Sequence, residues 1–160
     1  MTRLTHEAAG TFAIAPTPFH DDGRVDEASI DRLADFYTEL GCDGVTLLGI
    51  LGEAPKLDGA EAEAIVRRFV KRAGSLQVVV GVSAPGFAAM RALAREAMEA
   101  GAAGVMIAPP NTLRTDDQIV TYYAQAADAI CTMHGPYRIP TLLKRVDQLA
   151  RAGLSAAAAT

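Results

Sequence analysis

Short apolar runs and longer stretches with helical periodicity alternate along the first 130 residues. Thr11 to Ala15 is a short apolar run closed by Pro16-Thr17-Pro18. Asp21-Asp22-Gly23 reads as a turn. Asp26 is placed to cap a helix whose apolar positions Ile30, Leu33, Ala34, Tyr37 and Leu40 follow the 3.6-residue period, with Gly41 ending it. Val45 to Leu48 has the apolar character of a buried strand. Asp58 opens a second helix that turns Ala62, Ile65, Val66, Phe69 and Val70 inward. Gln77 to Val82 is a third strand, Gly86 to Ala100 a third helix, and Val105 to Ala108 a fourth strand. Thr115 caps a fourth helix carrying Ile119, Tyr122, Tyr123 and Ala126 on one face.

Continuous apolar strands separated by helices imply an α/β fold with a parallel sheet covered on its faces. An internal echo narrows the choice. Glu39-Leu40-Gly41-Cys42-Asp43-Gly44-Val45 matches Glu99-Ala100-Gly101-Ala102-Ala103-Gly104-Val105 at a spacing of 60 residues, or two βα units. Such repetition favours a (βα) barrel. A complete barrel takes about 250 residues, and this chain has 160.

The character of the chain changes near residue 131. Residues 131–160 carry a net charge of +3 and the preceding 130 carry −7. Pro140 can start an amphipathic helix with Leu142, Leu143, Val146, Leu149 and Ala150 as its apolar stripe, followed by an Ala-rich end. The expected organisation is therefore two parts. Residues 1–130 form about four βα units of a partial TIM barrel, and residues 131–160 form a helical tail.

Composition excludes several classes. The net charge of −4 and the lack of a basic tract argue against nucleic acid or an anionic membrane as partner. No apolar run approaches the ~20 residues of a membrane span. Residues 1–10 show no signal-peptide pattern. Cys42 and Cys131 lack paired spacing and read as free thiols in a reducing cytoplasm. His6, His20 and His134 are scattered without metal-ligand spacing.

The candidate chemistry sits in Leu48-Gly49-Ile50-Leu51-Gly52-Glu53-Ala54-Pro55-Lys56-Leu57, between a strand and a helix. That is the carboxyl end of a strand, where backbone N–H groups converge on anionic ligands. This stretch joins Thr17-Pro18-Phe19, Asp22-Gly23-x-Val25-Asp26 and Ala108-Pro109 in one ordered set from about Gly10 to Ile130. Together they resemble the dihydrodipicolinate synthase / N-acetylneuraminate lyase family. The resemblance implies a (βα)8 barrel and a class I aldolase mechanism without metal or organic cofactor. A lysine on the sixth strand would form a Schiff base with pyruvate or a related 2-oxo acid, and a tyrosine from the fifth would relay protons. It also implies an oligomer, and a loop that holds the substrate carboxylate on backbone N–H groups, here Gly49, Ile50, Leu51, Gly52 and Glu53.

Two departures stand out. Ile50 and Leu51 replace two threonines, which keeps the backbone donors and removes a relay hydroxyl; Pro110, Asn111 and Ser83-Ala84-Pro85 also differ. The family pattern, moreover, is not continued after Ile130, so neither the fifth-strand tyrosine nor the sixth-strand lysine is expected.

The remaining candidates are weak. Lys71 sits in a charged helical run with Arg67, Arg68 and Arg72, Lys144 on the polar side of the tail helix, and Lys56 just beyond the loop. All three read as surface residues rather than an imine lysine. Glu53 would accept loop N–H bonds or orient the pocket. Thr17 would bond substrate or its own turn. Tyr122 and Tyr123 read as packing residues, and Tyr137 falls in a turn. Gly81 and Gly86 lack the Lys-Ser/Thr of a phosphate loop. Asp21-Asp22 lacks the partners of a phosphoacceptor site. The substrate-binding set is thus Thr17 and Gly49 to Glu53, with no catalytic residue assigned.

Half a barrel leaves an apolar inner face and two open strand edges. Uncovering ~400 Å² of apolar surface forfeits about 10 kcal/mol at ~25 cal/mol/Å². The tail helix, or a second half-barrel, is expected to cover it. The chain reads as a truncated lyase-family member, inactive alone. The alternative is a half-barrel interaction module that self-associates or pairs with a full-length relative.

Overall fold

The computed structural model describes residues 3–5 and 7–131. His134, Tyr137, Lys144 and the expected tail helix lie outside the described residues, as does His6. The chain divides into two compact units, Met1–Ile107 and Ala108–Thr160.

The first unit alternates strand and helix. Its elements are β1 (Phe12–Ile14), α1 (Glu27–Glu39), β2 (Gly44–Leu47), α2 (Gly59–Arg72), β3 (Gln77–Gly81), α3 (Phe87–Ala100) and β4 (Gly104–Met106). The four strands form one parallel sheet in the order β1-β2-β3-β4. In the second unit, α4 (Asp116–Cys131) is opened by Thr115, whose hydroxyl accepts the Gln118 N–H while the Gln118 side chain accepts the Thr115 N–H. The elements are those the periodicity predicts, with β1, β3 and β4 one or two residues shorter and β2 of the same length but starting one residue earlier. The sheet is the partial (βα)8 barrel expected.

Local chemistry fixes the helix ends. Asp26 accepts the Ser29 N–H at the start of α1. Asp58 and Glu61 form a reciprocal capping box on α2. Gly101 ends α3 in the left-handed conformation, and Gly41 adopts the same conformation (φ +68°) just after α1. The echo in the sequence is therefore an echo in backbone: a left-handed Gly, then a Gly opening the next strand. Gly44 is obligatory for a further reason, because a Cβ there would lie 2.2 Å from the Phe12 ring and 2.7 Å from the Gln77 carbonyl.

Side chains alternate across the sheet. Val45, Leu47, Val78 and Val80 are fully buried, together with Ile30 and Ala34 of α1, Ile65, Val66 and Phe69 of α2, and Met90, Ala94 and Ala97 of α3. All five inward positions expected for α2 are buried. Leu40, the C-cap of α1, keeps helical backbone geometry but stays exposed rather than inward. The opposite parity of the sheet places Ile14, Thr46, Val79 and Gly104 in one row. There Ile14 is 50% exposed, and Met106, beside Gly81, is 42% exposed.

The arginines of α2 tie the helices together. Arg68 makes a paired contact with Asp31 at 2.8 and 2.9 Å and also meets Glu27. Arg72 grips Asp35 at 2.6 and 2.8 Å, and Arg67 reaches Glu96 of α3 at 2.6 Å. What the sequence offers as a solvated charge run is a set of inter-helix clamps.

Candidate substrate-acid cradle

The loop between β2 and α2 is shaped by two left-handed residues. Leu48 (φ +54°) turns the chain off the end of β2, and Glu53 (φ +50°) turns it into a short 3₁₀ segment, Ala54–Lys56. Such a conformation costs about 1–3 kcal/mol for a residue with a side chain, so surrounding contacts must hold it. Leu48 is buried, and that burial supplies one anchor.

Hydrogen bonds within the loop divide its N–H groups into two sets. Gly52 N–H donates to the Gly49 carbonyl at 3.0 Å, and Glu53 N–H to the Ile50 carbonyl at 3.1 Å. Ile50 and Leu51 N–H meet no backbone or side-chain acceptor among the described residues. Their side chains stand out at the tip, 94% and 60% exposed. The Leu48 and Gly49 N–H groups likewise meet none, so the loop presents a run of open donors whose exposed end is Ile50 and Leu51, beyond the carboxyl end of a parallel strand. An anion is the complementary ligand for such an arrangement.

Thr17 belongs to this assembly. Its hydroxyl donates to the Gly52 carbonyl at 2.7 Å, strapping the segment after β1 to the loop. Of the two partners the sequence allowed, substrate or its own turn, the hydroxyl does not take its own turn but bonds across to the β2–α2 loop. The Glu53 carboxylate meets the Lys56 ammonium across the 3₁₀ turn and accepts no loop N–H among the described residues. Lys56 is largely exposed and Glu53 about half exposed. The structure thus brings Thr17, Gly49, Ile50, Leu51, Gly52 and Glu53 together, with Thr17 as strap and Glu53 as turn.

Other candidates fall elsewhere. Lys71 is exposed on α2. The Tyr122 and Tyr123 rings meet edge to face at 5.7 Å, and Tyr122 Oη donates to the Ala108 carbonyl at 3.3 Å. Burial raises both phenol pKa values above the ordinary range. Both observations fit packing residues. Among the described residues, no three His, Cys, Asp or Glu side chains converge as for a metal ion, and no helix is long and apolar enough to cross a membrane. Lys56 as partner of Glu53 was not foreseen, although its spacing of three residues on a turn is the signal that could have revealed it.

Comparison with known proteins gives a consistent picture. The family model described as the dihydrodipicolinate synthetase family matches residues 7–155, a range that crosses residue 131. The chain is similar to the 4-hydroxy-tetrahydrodipicolinate synthase of Alkalilimnicola ehrlichii, 34% identical over 133 residues, covering 82% of this chain and 46% of that protein. A crystal structure of dihydrodipicolinate synthase from Rhodopseudomonas palustris is 75% identical with a TM-score of 0.78, over 81% of this chain and 43% of that one. A prophage protein of the same family from E. coli, solved in complex with pyruvate, is 27% identical with a TM-score of 0.68, over 75% of this chain and 41% of that one. The chain spans about half the length of the curated relatives it matches.

Proposed function

Because the chain belongs to the dihydrodipicolinate synthetase family, we propose that it is the acid-binding part of a class I aldolase-type barrel, holding a small 2-oxo acid such as pyruvate by its carboxylate. The observation that carries this reading is the exposed Ile50–Leu51 end of a run of loop N–H groups that meet no acceptor among the described residues, while Gly52 and Glu53 close the loop's own turn. The parent activity is carbon–carbon bond cleavage or formation through a lysine Schiff base in the cytoplasm, with no metal or organic cofactor.

Among the described residues no amine is placed to attack a bound acid and no tyrosine to relay protons to it. An imine lysine needs a lowered pKa, through burial or a cationic neighbour. Lys56 is 70% exposed and paired with a carboxylate, the opposite environment, and Lys71 is exposed too. The chain is expected to bind the acid and to leave it unreacted.

Borohydride reduction in the presence of pyruvate, read by mass spectrometry, tests the second half of this reading. An unmodified mass is expected, and an adduct on this chain would overturn it. Amide NMR during a pyruvate titration tests the first half. Shifts centred on Ile50 and Leu51 are expected, and their absence would remove the cradle.

A second reading is favoured by Ile14 and Met106, which lie about half exposed on the same face of the sheet. A parallel sheet exposed in this way is an association surface, either for a second copy or for a full-length relative. Sedimentation of the chain against an Ile14→Asp/Met106→Asp variant checks it: the parent should associate and the variant should not.

A further inference from the structure

We infer that Gly81, at the end of β3, is a positioning residue for the loop donors, acting through Leu48. The inference rests on the carboxylate-cradle reading for its functional meaning and on the packing for its structural one. A Cβ on Gly81 would lie 2.3 Å from the Leu48 carbonyl oxygen, 2.9 Å from its carbonyl carbon and 3.3 Å from the Leu47 carbonyl oxygen. All three are backbone atoms, so no side chain can swing aside to make room.

Space, not conformation, makes glycine necessary here. Gly81 is absent from the positive-φ glycines, so its own backbone would accept alanine. What it yields is room for the Leu48 carbonyl, at the point where the chain goes left-handed and leaves the sheet. Gly52 closes on the same residue from the other side. A Cβ on Gly52 would approach the Leu48 Cα and N at 3.0 Å and the Gly49 N at 3.2 Å. Leu48 is therefore seated between two glycines, one from the neighbouring strand and one from the far side of its own loop. Thr17 then ties Gly52 in place through its carbonyl. The direction in which the Ile50 and Leu51 N–H groups point is set by this seat.

The same 160-residue chain tests the assignment by NMR, with pyruvate as probe. In Gly81→Ala, amide exchange at Gly52 and Glu53 should accelerate about tenfold or more as their turn opens. Pyruvate affinity should weaken about tenfold or more. Exchange at Ile65 and Phe69 in α2 should be unchanged, which separates displacement of the loop from general loss of stability. Gly59→Ala, whose Cβ meets nothing within 4 Å, should behave as the parent in every readout. Gly52→Ala has milder clashes and supplies the same readouts if Gly81→Ala does not fold; it should shift loop exchange in the same direction. Retained protection at Gly52 and Glu53 in the folded variant would overturn the positioning role. Absence of pyruvate shifts in the parent would instead overturn the cradle reading, with the exchange data still deciding the role of Gly81.

Discussion

The two faces of the β1–β4 sheet differ in almost every physical respect. On one parity Val45, Leu47, Val78 and Val80 are sealed from solvent with the apolar stripes of α1, α2 and α3. On the other, Ile14 and Met106 remain about half exposed. The first face holds the fold together. The second is the face a closed barrel would turn inward. Stability and function are thus written on opposite sides of the same strands.

The strongest way to break this comparison is to cut each face in turn. Phe69 is 1% exposed at the centre of the helical layer. Phe69→Ala should cost about 3–5 kcal/mol in urea unfolding, which would unfold much of the population. Ile14→Thr on the open face should move stability by less than about 0.5 kcal/mol. Equal losses at the two positions would mean that the open face is covered in solution. The next effect concerns the junction that carries the loop into α2. Asp58→Ala removes one half of the capping box and should cost about 1 kcal/mol, with faster exchange confined to the first turn of α2.

Much of this arrangement is legible in the sequence, and the reason is local. Asp58 with Glu61, the i, i+3, i+4 stripe of Ala62, Ile65, Val66 and Phe69, and the Gly41/Gly101 pair each encode their structure within a few residues. The membership of the loop is legible for the same reason. The roles inside it are not. Thr17 bonding Gly52 joins residues 35 apart, and Gly81 makes room for a carbonyl on another strand. Those relations exist only once β1, β2 and β3 lie in register. Likewise Arg67, Arg68 and Arg72 read as solvated from one helix alone, because Asp31, Asp35 and Glu96 come from its neighbours.

Those clamps make the smallest and most easily screened prediction, and it sharpens the contrast from the outside. Hydrogen bonds from Arg68 lower the pKa of Asp31, and hydrogen bonds from Arg72 lower that of Asp35, below the ordinary value of 3.8. A carboxylate with a lowered folded-state pKa binds a proton less readily in the folded chain than in the unfolded one. Its stabilising effect is complete at pH values well above 3.8 and fades as the pH falls through 3.8 toward the lower folded value. The unfolding midpoint in urea should therefore decline in that acid window and stay flat near neutrality. Asp31→Asn/Asp35→Asn should flatten the acid decline, and added salt should weaken the clamps in the parent. Because both pairs lie at the surface, the change at neutral pH should be minor. An acid decline that persists unaltered in the double variant would place the titrating carboxylates elsewhere, with Asp26 as the next to test, since its bonds to Ser29 lower its pKa in the same direction.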